Sequence, residues 1–363
     1  MNIIPTTFNN SLPPYTAVGG TERKASTGLS AVILDRGGRY PRSGLFEELA
    51  KAGFDYIISM EGNVTRYDVE ELSGAFPFVR FILLKEPVSP GEEINLAAAE
   101  LSSPLFFVLW NDVKIMRSGG ADRMAERLTS LAGAQSQSGE AKSPYKRLCT
   151  VPLIQDGRSE TIPTLIAPAV ISVKGRDNST TTIRLVPRRE GLRSLYPFDG
   201  IGIYDRQRFI RLGGFDPAIK SFHWQLMDFG FRSNLWGEEI AATQLVKIAY
   251  EGAVPQEDSS TGKGYKRFFL KNIAPVFRGD YAHIPLRRFP AYFRKTESGF
   301  FNAWHEFTAA RKWVETNRYR FSSDAKSIVE RWETVELLSG DTEISVAPND
   351  SAEKNNAALE DTK

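Results

Sequence analysis

Between Ser30 and Leu109, short apolar runs alternate with stretches of helical periodicity, and this alternation limits the possible folds more than any other feature of the chain. Ser30 to Asp35 (SAVILD), Tyr56 to Met60, Val79 to Leu84 (VRFILL) and Leu105 to Leu109 are nearly continuous in apolar character, as strands covered on both faces must be. Leu45, Phe46, Leu49 and Ala50 recur at helical spacing before Gly53, and Val69, Leu72 and Phe76 mark a second short helix. The third helix has a written start. Ser89 as N-cap, Pro90 at the first helical position and Glu92 two residues on make a capping box, with Ile94, Ala97, Ala98 and Leu101 on one face. Alternating strands and helices predict an α/β fold with a mainly parallel sheet flanked by helices. Ligands of such sheets sit beyond the carboxyl ends of the strands. Those ends are Asp35, then Met60-Glu61-Gly62-Asn63, then Trp110-Asn111-Asp112.

Composition narrows the function classes. The 363 residues are 41% hydrophobic and 25% charged, enough for a large core in a globular chain. Lys plus Arg number 46 against 44 Asp plus Glu, so net charge gives no argument for nucleic acid, and none is expected as a partner. The single cysteine, Cys149, excludes an internal disulfide and fits a reducing compartment. The opening MNIIPTTFNNSLPPY lacks the basic and apolar regions of a signal peptide, and no segment reaches the ~18 apolar residues of a membrane span. A cytoplasmic protein, or one peripheral at the inner face of the membrane, is the expectation.

Residues 1–27, rich in Pro, Thr, Asn and Gly, read as a flexible arm, and the main domain is expected over 28–255. Residues 132–145 read as a solvent loop, while 146–154, 161–173 and 181–186 read as strands of an added β region. Phe209 to Leu212 should end a helix at Gly213-Gly214, Gln225 to Trp236 should form another, and Leu245 to Tyr250 a last strand. Residues 256–338 form a basic, aromatic and mostly helical extension, and 339–363 a disordered acidic tail.

Two stretches resemble the inverting family 2 glycosyltransferases of the GT-A fold, which move a sugar from a nucleotide diphosphate to an acceptor. NLAAAELSSPLFFVLWND places Asn95 and the Trp110-Asn111-Asp112 triplet in the register of that family's helix Asn and strand-end Asp-x-Asp. Residues 195–240 are similar to its acceptor-side segment through Gly213-Gly214-Phe215-Asp216, Arg232 and Gly237. The resemblance implies a nucleotide-sugar donor, a glycan or lipid-linked acceptor, and Mg²⁺ or Mn²⁺ at the diphosphate. It also implies that Glu61, Asn95, Asn111 and Asp112 lie in the donor site.

The same resemblance exposes departures. A leaving diphosphate needs cationic stabilisation, and the acceptor hydroxyl needs a general base. Trp110 replaces the first acid of the triplet, so Asp112 is the one acid left to hold a metal; its other reading is a strand-end carboxylate capping a turn. Gln225-Leu226 stand where the family has Glu-Asp, which puts leucine at the base position. Asp228 is nearby but shares a helix face with Arg232, an i,i+4 ion pair. His223 is the better-placed substitute, since a neutral imidazole accepts a proton near neutral pH; packing against Trp224 is its alternative role. Tyr250 stands where the family commonly has a metal-binding His. Glu61 either bonds a base edge or ribose hydroxyl or is an exposed loop acid. The scaffold marks persist while chemical positions change, which leaves an active transferase or a binding module on the same fold.

Residues 263–320 carry thirteen Lys or Arg against four Asp or Glu, interleaved with Phe and Tyr. Such a segment can pack its aromatics on the main domain, bring residues 262–320 to an anionic membrane or a lipid-linked substrate, or bind nucleic acid, for which no recognised motif is present.

Overall fold

The computed structural model describes residues 12–21, 28–36, 43–62, 68–116, 147–173, 177–260, 262–296 and 299–332. The expected loop at 132–145, the tail at 339–363 and Asn63 lie outside these residues.

The strands are β1 Tyr15–Gly19, β2 Leu29–Leu34, β3 Tyr56–Glu61, β4 Val79–Leu84, β5 Leu105–Trp110, β6 Val113–Ile115, β7 Arg147–Gln155, β8 Leu165–Val173, β9 Asp177–Leu185, β10 Gly202–Asp205, β11 Glu239–Tyr250, β12 Val276–Arg278 and β13 Tyr281–His283. One nine-stranded sheet runs β1-β4-β3-β2-β5-β10-β7-β11-β6. Its centre, β4-β3-β2-β5, is parallel, and β2 and β5 are buried at every position, as their nearly continuous apolar runs require. The α/β class with flanking helices is as the sequence predicts.

Two strand assignments change. Tyr15–Gly19, within the stretch read as an arm, pairs antiparallel with β4 and is only half-buried, so its pattern was too weak to mark a strand. Arg147–Gln155 joins the main sheet between β10 and β11 rather than an added β region, where only β8 and β9 pair as a separate hairpin.

The helix Pro90–Glu100 starts as read: the capping box of Ser89 and Glu92 is formed, and Lys220 bonds the other Glu92 oxygen at 2.8 Å. The helix Phe222–Leu235 starts earlier than the sequence implied and has nearly every residue buried. Beyond it, Lys263–Phe268 continues through a π-helical turn at Phe269–Ile273, followed by the hairpin β12–β13 and the helices Phe289–Lys295, Phe300–Thr316 and Ala325–Arg331. This basic region packs against the main sheet's helices. Trp224 meets Tyr265 with ring centroids 4.9 Å apart, and Trp236 stacks on Trp313 at 6.0 Å. Phe268, Phe289 and Phe307 are buried, which is the packing role expected of the aromatics. Leu286, Phe300, Phe301 and Trp304 stay exposed, with Phe301 at 84%.

Candidate functional site

Four strand ends and one turn converge at the carboxyl edge of the parallel strands. Asp35 and Arg36 follow β2, Glu61 closes β3, Trp110-Asn111-Asp112 close β5, and Tyr250 closes β11. The turn is Phe198–Gly200 before β10, where Asp199 holds a left-handed φ of 53°. Asn111 ties two of these ends together: its Nδ2 donates to Asp35 Oδ1 at 2.6 Å, and its Oδ1 accepts the Arg36 backbone N–H at 3.1 Å. Asn111 thus positions Asp35 and Arg36 at this edge.

Arg36 is the centre of the arrangement. Its guanidinium lies 3.9 Å from the centroid of the Trp110 ring, with Nε 3.1 Å from Asp112 Oδ2 and Nη2 bonded to Asp199 Oδ2. Asp199 Oδ2 also accepts the Tyr250 hydroxyl at 2.8 Å, and its backbone carbonyl accepts Trp110 Nε1–H at 2.9 Å. Burial pushes the Asp199 carboxyl up to about 7 despite Arg36 and Tyr250, which pull the other way. Sequence reasoning missed Arg36 and Asp199. Arg36 lies one residue past a strand end already recognised as a ligand edge, and Asp199 is reached only through the fold.

A divalent ion does not fit the residues present. Hard cations take several oxygen ligands, and here Asp112 Oδ2 and Asp199 both face the guanidinium. Among the described residues, buried Asp112 Oδ1 has no hydrogen-bond partner, but no three His, Cys, Asp or Glu side chains are grouped to hold a metal. Asp112 lies at this edge as the ion-pair partner of Arg36.

On the other side of Asp35 lies a second acidic group. Glu61 is buried, not an exposed loop acid, and accepts Ser59 Oγ–H at 2.7 Å. Burial and the neighbouring Asp35 push it up to about 7. Glu93, from the helix Pro90–Glu100, is pushed up to about 8 by burial and then by Asp35, Glu61 and Glu92, and its Oε2 has no hydrogen-bond partner among the described residues. Both folded values are raised, so the folded chain holds protons that the unfolded chain has released. The stability they allow is complete below the ordinary carboxylate range and is lost as pH rises through about 7 and about 8. Unfolding by denaturant should show stability falling between pH 5 and pH 8, by up to about 1.4 kcal/mol per pH unit for each group. Glu93→Gln should flatten this slope; an unchanged slope would remove Glu93 as its source.

Two expected site residues turn out to hold the fold. Asn95 clamps the glycine turn: its Nδ2 donates to the Phe215 carbonyl and its Oδ1 accepts the Phe215 N–H, both at 2.8 Å. Gly214, at φ +60°, leaves no room for a Cβ against that amide. Asn95 thus corrects from donor binding to positioning the turn. Asp228 is fully buried and accepts from Arg232 Nη2 at 2.8 Å and Asn272 Nδ2 at 2.8 Å, with Lys271 Nζ at 2.9 Å. Burial raises its carboxyl, but Lys271 and Arg232 outweigh that and hold it below its usual range. Lys271 also bonds Asp216 at 2.7 Å, and Arg232 donates to the Leu212 and Gly214 carbonyls. With every oxygen committed and no solvent access, Asp228 cannot act as the base.

The base position itself is closed. Leu226 is core, and Gln225 is fully buried, with Nε2 on Ser89 Oγ at 2.7 Å and Oε1 accepting the Gly91 N–H at 3.2 Å. That leaves His223, whose Nδ1 lies 3.5 Å from Glu257 Oε2 without a directed hydrogen bond. Glu257 also accepts from Arg184 Nη2 at 2.9 Å and the Tyr196 hydroxyl at 3.1 Å. Burial opposes its charge, but His223 and Arg184 hold it below its usual range, so it is a carboxylate able to orient the imidazole. His223 packs against Trp224 at 4.9 Å between ring centroids, the packing role that is its alternative reading.

No protein-family model and no curated protein matches the chain. Among solved structures it is similar to GalNAc-T7 with UDP, GalNAc and Mn²⁺, at 13% identity over 80% of this chain and 57% of that one, with a TM-score of 0.49. It is also similar to S. aureus TarS 1–349 in complex with UDP-GlcNAc, at 11% identity over 78% of this chain and 71% of that one, TM-score 0.42. A third likeness is to HddC from Yersinia pseudotuberculosis, at 14% identity over 61% and 92% of the two chains, TM-score 0.33. The chain thus spans little more than half the length of the GalNAc-T7 chain.

Proposed function

We propose that this chain is a GT-A-type protein that binds a nucleotide-diphosphate sugar and transfers the sugar, by inverting displacement, to a hydroxyl of a glycan or lipid-linked acceptor. The observation that carries this reading is the convergence of Asp35-Arg36, Glu61 and Trp110-Asn111-Asp112 at the carboxyl ends of parallel β2, β3 and β5, where such sheets take nucleotides. A cation sits there, as a leaving diphosphate requires. Glu61, held near neutrality, can donate to or accept from a base edge or ribose hydroxyl. In the transfer step, His223 takes the acceptor hydroxyl proton while the oxygen bonds to the anomeric carbon. The bond from that carbon to the diphosphate oxygen breaks, and the nucleoside diphosphate leaves.

A second reading, a non-catalytic module that binds a nucleotide sugar, a glycan or a partner transferase, is favoured by Leu226 at the base position. Screening UDP-, GDP- and CDP-sugars for binding and for donor hydrolysis by the full chain separates the two. Turnover of any donor supports the transferase; nucleotide binding without turnover supports the module.

The exposed Leu286, Phe300, Phe301 and Trp304 adjoin the exposed Arg287, Arg288 and Arg294, a composition suited to peripheral contact with an anionic bilayer near a lipid-linked acceptor. No helix among the described residues is long and apolar enough to cross a membrane.

A further inference from the structure

The three positions at which the resemblance implies handling of a metal are Trp110, Asp112 and Tyr250. In the fold they surround a single guanidinium. Arg36 lies over the Trp110 ring, its Nε faces Asp112, and its Nη2 meets Asp199, which Tyr250 also bonds. The changes are mutually consistent. Indole in place of a carboxylate gives a flat face for a planar cation and no oxygen for a metal. Phenol in place of imidazole removes a metal ligand and supplies a donor to the carboxylate that grips the arginine. The backbone of Arg36 is fixed by Asn111, and Asn111 by Asp35, so the cation is placed by the strand ends themselves. Its side chain remains 30% exposed, and Nη1 has no partner among the described residues.

We propose that Arg36 takes the place of the divalent cation, so that this site engages the diphosphate of a nucleotide through a guanidinium and without metal. The inference rests on the nucleotide-sugar reading given above. Arginine suits the task because its fork of N–H donors meets phosphate oxygens in pairs and keeps its charge at every accessible pH. Asp112 and Asp199 then hold the guanidinium in place instead of holding an ion. Because the two carboxylates offset the arginine's charge, Nη1 and the remaining Nη2 hydrogen are the donors left for the ligand.

Calorimetric titration of the full chain with UDP, GDP and CDP, each in EDTA and each in Mn²⁺, tests this. Affinity for the nucleotide that binds should agree within about twofold between the two conditions. Arg36→Ala should weaken it at least tenfold in EDTA, and Arg36→Lys, which keeps the charge without the fork, should fall between. Because Arg36 is partly exposed at a strand end, circular dichroism should show each variant folded. Parent affinity at least tenfold weaker in EDTA than in Mn²⁺ would overturn the proposal and leave the nucleotide reading standing. So would full affinity in Arg36→Ala. Absence of binding for every nucleotide in both conditions would overturn the nucleotide reading and this inference with it.

Discussion

Asp228→Ala should lower the free energy of unfolding by about 3–5 kcal/mol, the cost of leaving buried charges without their partner. Arg232 and Lys271 both face the Asp228 carboxylate, and each is about 2% exposed, so neither can turn to water when it is removed. Asn272 would lose its acceptor as well. The loss should spread to the glycine turn, because Arg232 bonds the Leu212 and Gly214 carbonyls and Lys271 bonds Asp216. Equilibrium unfolding in urea reads it directly. A change below about 1 kcal/mol, with activity or ligand binding lost, would return Asp228 to the site; that range is what an exposed pair contributes. Replacing Asp228 and Lys271 together should cost less than the two single changes summed, because the partners are in contact.

His223→Ala should lower kcat by 10²–10⁴-fold on any donor and acceptor pair the protein turns over, the usual contribution of a general base. KM for the donor should stay within a small factor, because the proposed role of Arg36, Glu61 and Asp112 is to bind the donor and that of His223 is only to take the acceptor proton. Glu257→Gln should act in the same direction and more weakly, since Glu257 touches the imidazole at 3.5 Å and serves as a positioning residue. Steady-state kinetics with both substrates varied separates these effects. An unchanged kcat in His223→Ala would remove the imidazole from catalysis. A loss confined to donor KM would instead place it in donor binding.

The legible part of this chain is the part written locally. The capping box of Ser89, Pro90 and Glu92 is a four-residue pattern, and the strands β2 to β5 are nearly continuous apolar runs, so both are recoverable without tertiary information. β10 is four residues long and lies antiparallel between β5 and β7, a position set by pairing across the sheet and by nothing in GIYD itself. The Asp228–Arg232 pair follows from helical spacing, whereas Lys271 and Asn272 reach the same carboxylate from 43 and 44 residues further on. That distant half of the network is what makes Asp228 structural.

The site divides in the same way. Glu61, Asn111 and Asp112 sit at strand ends that the sheet pattern predicts to be the ligand edge, and there the fold places them. The motif positions shared with the acceptor-side segment, Gly213 to Asp216 and Arg232, are occupied in joining one helix to the next, with Asn95 as clamp. A sequence motif reports that residues are arranged together; only their bonds report whether the arrangement binds a ligand or holds a turn. The sequence leaves Asp112 as the one acid to hold a metal. The cation that Asp112 faces is Arg36, whose partners Asp112 and Asp199 lie 76 and 163 residues away, a pairing no local pattern could announce.

Amide hydrogen exchange of the full chain, with UDP, GDP and CDP at saturating concentration in turn, tests most directly whether a nucleotide diphosphate binds at this edge. For one of the three, the account predicts slowed exchange at Asp35–Arg36, Met60–Gly62 and Trp110–Val113, with exchange across 281–332 unchanged. Exchange unaltered by all three nucleotides, or protection confined to 281–332, would contradict it.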